Sequence, residues 1–382
     1  MGADEDPESL LCSRGERLPL APDASKAKLA DADGEARALD AVRLLGAVHI
    51  VLFHALPAPF ALWGRLWVIF FFMCSGFGPA MSKLRRGDEP QLLPRWHTLV
   101  RRWVSIYPFY FIAFTWNVAI SPHKWHKHCA GHAMDCRAEL LMLQGFGATW
   151  WSALSAINVT DWYCAVLLVY WLFEEPCYAL CVAAWRRGHV GRAAAAVVLA
   201  AWWYWLPRHA WYRSLHDLRW VEFLHFYAVG VFLAFCLRDR CLARLPGVGT
   251  LAGLLLVALF SLVRNTQDIK WWMYNRPEWV SPLFCMLILG LEHALDPFAV
   301  LLRARHCRLA REVSYGIYIF QLPCKNMLER TFAKIPSGSA WKLQEGTPAF
   351  VLALLAMVSL VALVASLFIQ QPLDRAVRRL LR

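Results

Sequence analysis

Apolar runs of about 17–24 residues recur along this chain, and no other feature limits its fold so severely. Each is long enough to cross a hydrocarbon core of about 30 Å. Backbone groups in such a core find no water, so a spanning segment must satisfy them internally, as a helix or a closed barrel. A barrel is built from alternating segments of about ten residues, and the sequence shows none. The 382 residues are 58% hydrophobic and 18% charged, with a mean hydropathy of +0.38. Soluble domains run at roughly 45–50% apolar and about 25% charged. The expected fold is all-α, a polytopic transmembrane helical bundle.

About ten spans are expected, near 41–60, 63–82, 103–120, 162–185, 193–207, 222–237, 247–263, 280–298, 313–330 and 348–370. The segment 139–158 is apolar too, but it reads as interfacial or re-entrant, because the charge pattern is consistent only if it does not cross. Residues 1–36 are polar, Ala/Asp-rich and without a signal-peptide pattern, and read as a disordered cytosolic tail ahead of a transmembrane domain over 37–382. On this topology one side carries about 25 Lys and Arg and the other about 14, and the richer side is cytosolic. Both termini then lie in the cytosol, and the net charge of +12 needs no nucleic acid to explain it. Trp63, Trp67, Trp103, Trp162, Trp271, Trp272 and Trp279 fall near block ends, as interfacial anchors do. No internal repeat is visible, so the inverted-repeat plan of many transporters gains no support.

The first apolar segment carries charge. Ionisable groups at membrane depth are costly and usually face a protein interior or a polar cavity. Arg43 and His54 are eleven residues apart, within roughly 20° of one helix face and about 16 Å apart along the axis. Asp40, three residues before Arg43, can pair with it, whereas His49 points roughly 140° away from His54. A single polar ligand fits this face, its anionic end near Arg43 and its reactive end near His54. An acyl-coenzyme A has that shape. The plainer readings are an interhelical hydrogen bond for His54 and a snorkelling boundary anchor for Arg43.

The surrounding motifs resemble the membrane acyltransferase type 3 family. Its first helix typically reads Leu-Asp-x-x-Arg with a His eleven residues on, here Leu39, Asp40, Arg43 and His54. Its second ends in Phe-Phe-x-x-Ser-Gly-Phe, here Phe71, Phe72, Ser75, Gly76 and Phe77. An Arg-Arg followed by Tyr-Pro-x-Tyr matches Arg101, Arg102, Tyr107, Pro108 and Tyr110. A late Ser-Tyr-x-x-Tyr matches Ser314, Tyr315 and Tyr318, and the last helix leaves through Pro372 and basic residues. The order holds from residue 39 to the C-terminus.

The resemblance implies transfer of an acyl group, often acetyl from acetyl-CoA, to a hydroxyl, commonly on a carbohydrate. It implies His54 in catalysis and Arg43 in donor binding, with Asp40 orienting Arg43 and Arg101, Arg102 and Tyr107 as further donor-side candidates. A positioned imidazole can take the proton of a hydroxyl as it attacks, and a guanidinium holds phosphate oxygens. Acyl-CoA is thus a co-substrate, with no permanently bound cofactor, and the partners are the donor, a hydroxyl acceptor and the bilayer. Ser75 is a candidate oxyanion donor, although a Ser-Gly pair more often permits close helix packing.

The chain departs from the family at several positions. Trp67 and Ile69 replace a Gly and an Asp ahead of the Phe pair, and Val166, Leu167 and Leu168 stand where acidic residues are common. Gln321 replaces a His, and Gln370 or Gln371 replaces a Glu before the final Pro. These changes leave the acceptor open and keep a catalytically inactive acyl-CoA-binding relative in view. A transporter of small solutes or lipids is the alternative from a different class, since buried charges suit it as well.

Several clusters lie outside these motifs. His123, His126, His128, Cys129, His132 and Cys136 share one loop, whose spacing loosely resembles a zinc site but on an outer face favours a Cys129–Cys136 disulfide. Glu174 and Glu175, beside Pro176, are candidates for acceptor binding or for a structural contact. Glu222 and His225 share a face and read as acceptor contacts or a packed polar pair. Glu292, His293 and Asp296 read as solvating a cytosolic helix end. Asn158-Val-Thr160 is a glycosylation sequon set close to the membrane. Lys83, Arg85, Arg86 and the basic tail from Arg375 read as topology signals and headgroup contacts.

Overall fold

The computed structural model describes residues 25–123, 126, 133–143, 161–204, 219–239, 247–275, 279–292, 295–302, 310–336, 339 and 343–380. Regular structure among them is entirely helical. In chain order the helices are α1 (Ser25–Ala55), α2 (Pro59–Leu62), α3 (Trp67–Arg86, entered through a 3-10 turn at Trp63–Leu66), α4 (Trp96–Ile120) and α5 (Ala133–Leu140). There follow α6 (Asp161–Arg186), α7 (Gly188–Tyr204), α8 (Arg219–Arg238), α9 (Val248–Leu262), α10 (Thr266–Asn275), α11 (Ser281–Leu291) and α12 (Pro297–Leu302). Last come α13 (Ala310–Ala333), α14 (Pro348–Ala365), a π-turn at Ser366–Gln370 and α15 (Gln371–Leu380).

Six stretches are long and apolar enough to cross a membrane: Ala38–Ala55, Pro59–Arg86, Trp96–Ile120, Trp162–Arg186, Val221–Arg238 and Pro348–Val377. Val248–Leu262 and Ser281–Leu291 are shorter apolar helices. The first helix differs from its expected limits at both ends. It begins at Ser25, inside the segment read as a tail, and it stops at Ala55. The stretch expected over 280–298 is split, because α11 ends at Leu291 and a turn leads into α12. Of the segment expected to lie at the interface, residues 139–143 are described. They pack on α4, where the Tyr107 hydroxyl donates to the Leu140 carbonyl at 3.0 Å and the Tyr110 hydroxyl donates to that of Glu139.

Lipid gives apolar helices little reason to associate, so close backbone approach has to supply van der Waals contact. Here α3 and α8 meet most extensively, and glycine makes this possible on both sides. A Cβ on Gly76 would lie 3.1 Å from the Val231 nitrogen, and one on Gly230 would lie 2.8 Å from the Met73 carbonyl carbon. Trp63 and Trp67, expected as interfacial anchors, are buried instead. Trp63 stacks on Phe260, and the Trp67 indole donates to His49 Nδ1 at 2.9 Å.

Helix α4 runs on through Pro108, which has no N–H to offer the turn before it. Two carbonyls in that turn accept from side chains of distant helices. Gln370 Nε2 donates to the Ser105 carbonyl at 2.9 Å, and the Tyr315 hydroxyl donates to that of Ile106 at 3.1 Å. The Tyr-Pro, Ser-Tyr and terminal Gln segments therefore converge on one turn of α4.

Asp296, read from sequence as a solvating residue, is fully buried and caps two helices. Its carboxylate accepts from the Gly249 and Thr250 amides and the Thr250 hydroxyl at the start of α9, and from the Phe298 and Ala299 amides at the start of α12. Helix N-termini leave such amides without intrahelical partners. Burial works against the charge of Asp296, but hydrogen bonds from Thr250, Ala299 and Phe298 outweigh it and hold the carboxyl below the usual aspartate range. With the folded value depressed, the stabilisation is complete above about pH 4 and is lost as pH falls through the folded value. Asp296→Ala is expected to cost about 2 kcal/mol or more. Thermal unfolding in detergent should show this loss at pH 6 and a smaller difference from the parent as the buffer is acidified; an equal midpoint at pH 6 would contradict it.

Candidate functional site

The site is assembled along α1, which presents Arg43 and His54 on one face about 16 Å apart in depth. Arg43 reaches Asp40 Oδ1 at 3.4 Å, and its side chain retains about a fifth of its surface exposure. Cys74 of α3 and Tyr163 of α6 lie close enough to feel its charge. A guanidinium has five N–H donors. A single contact as long as 3.4 Å leaves most of them open among the described residues.

Tyr163 links this corner to its neighbours. Its hydroxyl shares a 3.2 Å hydrogen bond with Ser75, which also donates to the Phe71 carbonyl at 2.8 Å. Its ring meets Phe72 and, edge-on, Tyr318 of α13. Ser75 thus carries a structural bond while its neighbour Gly76 makes the helix crossing.

His54 occupies the last turn of α1. Among the described residues nothing hydrogen-bonds its ring nitrogens, and the Phe53 ring lies edge-on at 4.8 Å. Its backbone carbonyl accepts from Lys325 Nζ of α13 at 2.7 Å. His49 is different. It accepts from the Trp67 indole at Nδ1, so Nε2 carries the proton and donates to the Phe60 carbonyl at 2.8 Å. Both nitrogens are occupied, which makes His49 a structural histidine.

Helix α13 runs beside α1 over much of its length. Tyr318, Gln321 and Lys325 follow one another at helical spacing along one of its faces, with Ser314, buried, a turn earlier. Gln321 is buried, its Nε2 donates to the Tyr318 carbonyl at 2.8 Å, and its Oε1 has no partner among the described residues. Tyr315 turns toward α4, stacking on Phe109 and bonding Ile106.

The remaining candidates lie elsewhere. Arg102 pairs with Glu174, and Lys83 reaches Glu174 at 2.8 Å and Glu175 at 2.6 Å. This buried cluster joins α3, α4 and α6. Lys83 is therefore an internal ion-pair partner and not the headgroup contact expected from its basic run. Arg101 is exposed, and Tyr107 bonds Leu140, so neither is brought to Arg43. His225 is buried against Phe226 and Trp202, and its Nδ1 has no partner among the described residues. Glu292 pairs with Arg85 at 3.5 Å. His128, Cys129, His132, the Cys136 side chain, His293 and the Asn158-Val-Thr160 sequon lie outside the described residues.

Sequence reasoning missed Tyr163 and Lys325. Tyr163 sat next to a Trp already read as an anchor. Lys325 follows Gln321 by one helical turn, and that spacing was the signal that could have found it.

A family profile described as an acyltransferase domain matches residues 37–367. Comparison with curated protein sequences and with solved structures finds no match.

Proposed function

From the premise that the chain belongs to the acyltransferase type 3 family, we propose that this membrane acyltransferase takes an acyl group, acetyl in the simplest case, from cytosolic acyl-CoA. It delivers that group to a hydroxyl on a carbohydrate or other acceptor close to the membrane. With the N-terminus in the cytosol, the Arg43 end of α1 lies on the donor side. The observation that carries the reading is the pairing on one helix of a guanidinium with most donors open and an imidazole with both nitrogens unengaged among the described residues.

In this reading Arg43 binds phosphate or pantetheine oxygens of the donor, held in orientation by Asp40. His54 takes the acceptor's hydroxyl proton as its oxygen attacks the thioester carbonyl. The C–S bond then breaks, the acyl ester forms, and CoA leaves as the thiol once it regains the proton. The chemistry needs no resident metal or cofactor, only the two substrates.

The test uses the purified protein in nanodiscs with radiolabelled acetyl-CoA and a panel of glycans, following CoA release and label transfer. Arg43→Ala is expected to weaken acetyl-CoA binding by about 10- to 100-fold, the loss of one or two hydrogen bonds from a charged donor. Donor binding without turnover on any acceptor would favour an inactive relative, consistent with the neutral Gln321 and Gln370. Absence of binding by any acyl-CoA would sink the proposal.

A further inference from the structure

We infer that Lys325 is a positioning residue for His54, fixing the end of α1 so that the imidazole is held in place for proton transfer. The inference rests on the acyltransferase reading above and deepens it. Three observations carry it.

The first is the direct bond. Lys325 Nζ lies 2.7 Å from the His54 carbonyl oxygen. The last carbonyls of a helix have no intrahelical donor, and a cation at that end is favoured by the helix dipole. Lys325 thus caps α1 at the residue whose side chain does the chemistry. Because carbonyl and imidazole belong to one residue, fixing the peptide plane limits where the ring can swing.

The second is the anchoring of Lys325 itself. Its ammonium also meets Glu345 at 2.5 Å and Glu329, one turn along α13, at 3.5 Å. The lysine side chain is only 17% exposed, while its partners Glu345 and Glu329 stand nearer the surface at 54% and 36%. A lysine held from three sides is a fixed post and not a solvated tether.

The third is what Glu345 brings with it. The segment before α14 passes over the chain just beyond His54, with Gly346 at φ +82° and a Cβ placed on it only 3.2 Å from Pro57 Cδ. Lys325 therefore ties together the end of α1, the middle of α13 and the approach to α14. His54 is the titratable group at this junction, and Lys325, Glu329 and Glu345 are the charged groups that meet there from α13 and the segment before α14.

A displacement of about 1 Å at a reacting group can cost on the order of 10²-fold in rate. Lys325→Met is accordingly expected to lower CoA release at saturating acetyl-CoA by about 10- to 100-fold, measured with the glycan on which the parent is fastest. The acetyl-CoA dissociation constant, set about 16 Å away at Arg43, should stay within about twofold. Lys325→Arg, which keeps a cation of similar reach, should restore much of the rate. A Lys325→Met protein that turns over like the parent would overturn the inference, as would a loss of rate that merely follows weaker donor binding. Arg performing no better than Met would overturn it too. If Lys325→Met does not survive purification, Lys325→Gln against Lys325→Arg makes the same comparison. A parent that releases no CoA removes the acyltransferase reading and this inference together, whereas a normal parent beside an unaffected variant removes the inference alone.

Discussion

His54→Ala is expected to lower acyl transfer by about 10²- to 10⁴-fold, the range lost when a positioned general base is removed. Acetyl-CoA binding should stay close to that of the parent. The two results separate because α1 holds the donor anchor and the base about 16 Å apart, and because among the described residues His54 makes no side-chain hydrogen bond that the alanine would break. His49→Ala is the informative companion. It removes the Trp67 and Phe60 bonds, so it should lower the unfolding midpoint and leave donor affinity and the form of the pH–rate profile alone. Equal activity of His54→Ala and the parent would remove His54 from the chemistry.

The second large effect is structural. Glu174→Ala is expected to destabilise the protein by about 3–5 kcal/mol, because breaking a buried pair leaves an uncompensated charge behind. Glu174 is nearly inaccessible and serves both Arg102 and Lys83. Lys83 keeps Glu175 at 2.6 Å when Glu174 is lost, but Arg102 is left facing the Trp171 ring at 6.0 Å and the buried Tyr227 hydroxyl. Glu174→Gln, which still offers an oxygen, should lose less. Removing Glu89, which meets Arg186 on the exposed surface, should change little, as surface pairs do. Denaturation in detergent followed by fluorescence ranks the three variants, and a Glu174→Ala midpoint equal to that of Glu89→Ala would show that the buried cluster carries no stability.

Much of this architecture is written in local sequence. Apolar runs bounded by charge place most helix ends within a few residues, since lipid tolerates little else. The Arg43–His54 spacing is readable because helical period alone puts both on one face. Contacts that depend on where two distant helices cross are not readable in that way. Lys83 looks like any other residue of a basic cytosolic run until α6 brings Glu174 and Glu175 against it. Asp296 at the end of an apolar stretch reads the same whether it faces water or caps two helices, and only the return of α9 decides between them. Lys325 reads as the local i,i+4 partner of Glu329, because its other acceptor is a backbone carbonyl 271 residues earlier. Trp67 misleads for a related reason, since an indole at a block end is an anchor only if no buried acceptor such as His49 waits for it.

The turn before Pro108 bears on how the bundle is completed during synthesis. The Ser105 and Ile106 carbonyls emerge from the ribosome with α4, but the groups that bond them in the finished protein come 265 and 209 residues later, on Gln370 and Tyr315. Helical bonding along α4 can form as the helix is made, so what the growing chain lacks until the last helices arrive is the cross-link from α4 to them. The C-terminal segment thereby acts as a closing stitch: a nascent chain ending before Gln370 can hold every earlier helix and still lack the bond that ties α4 to the end of the bundle.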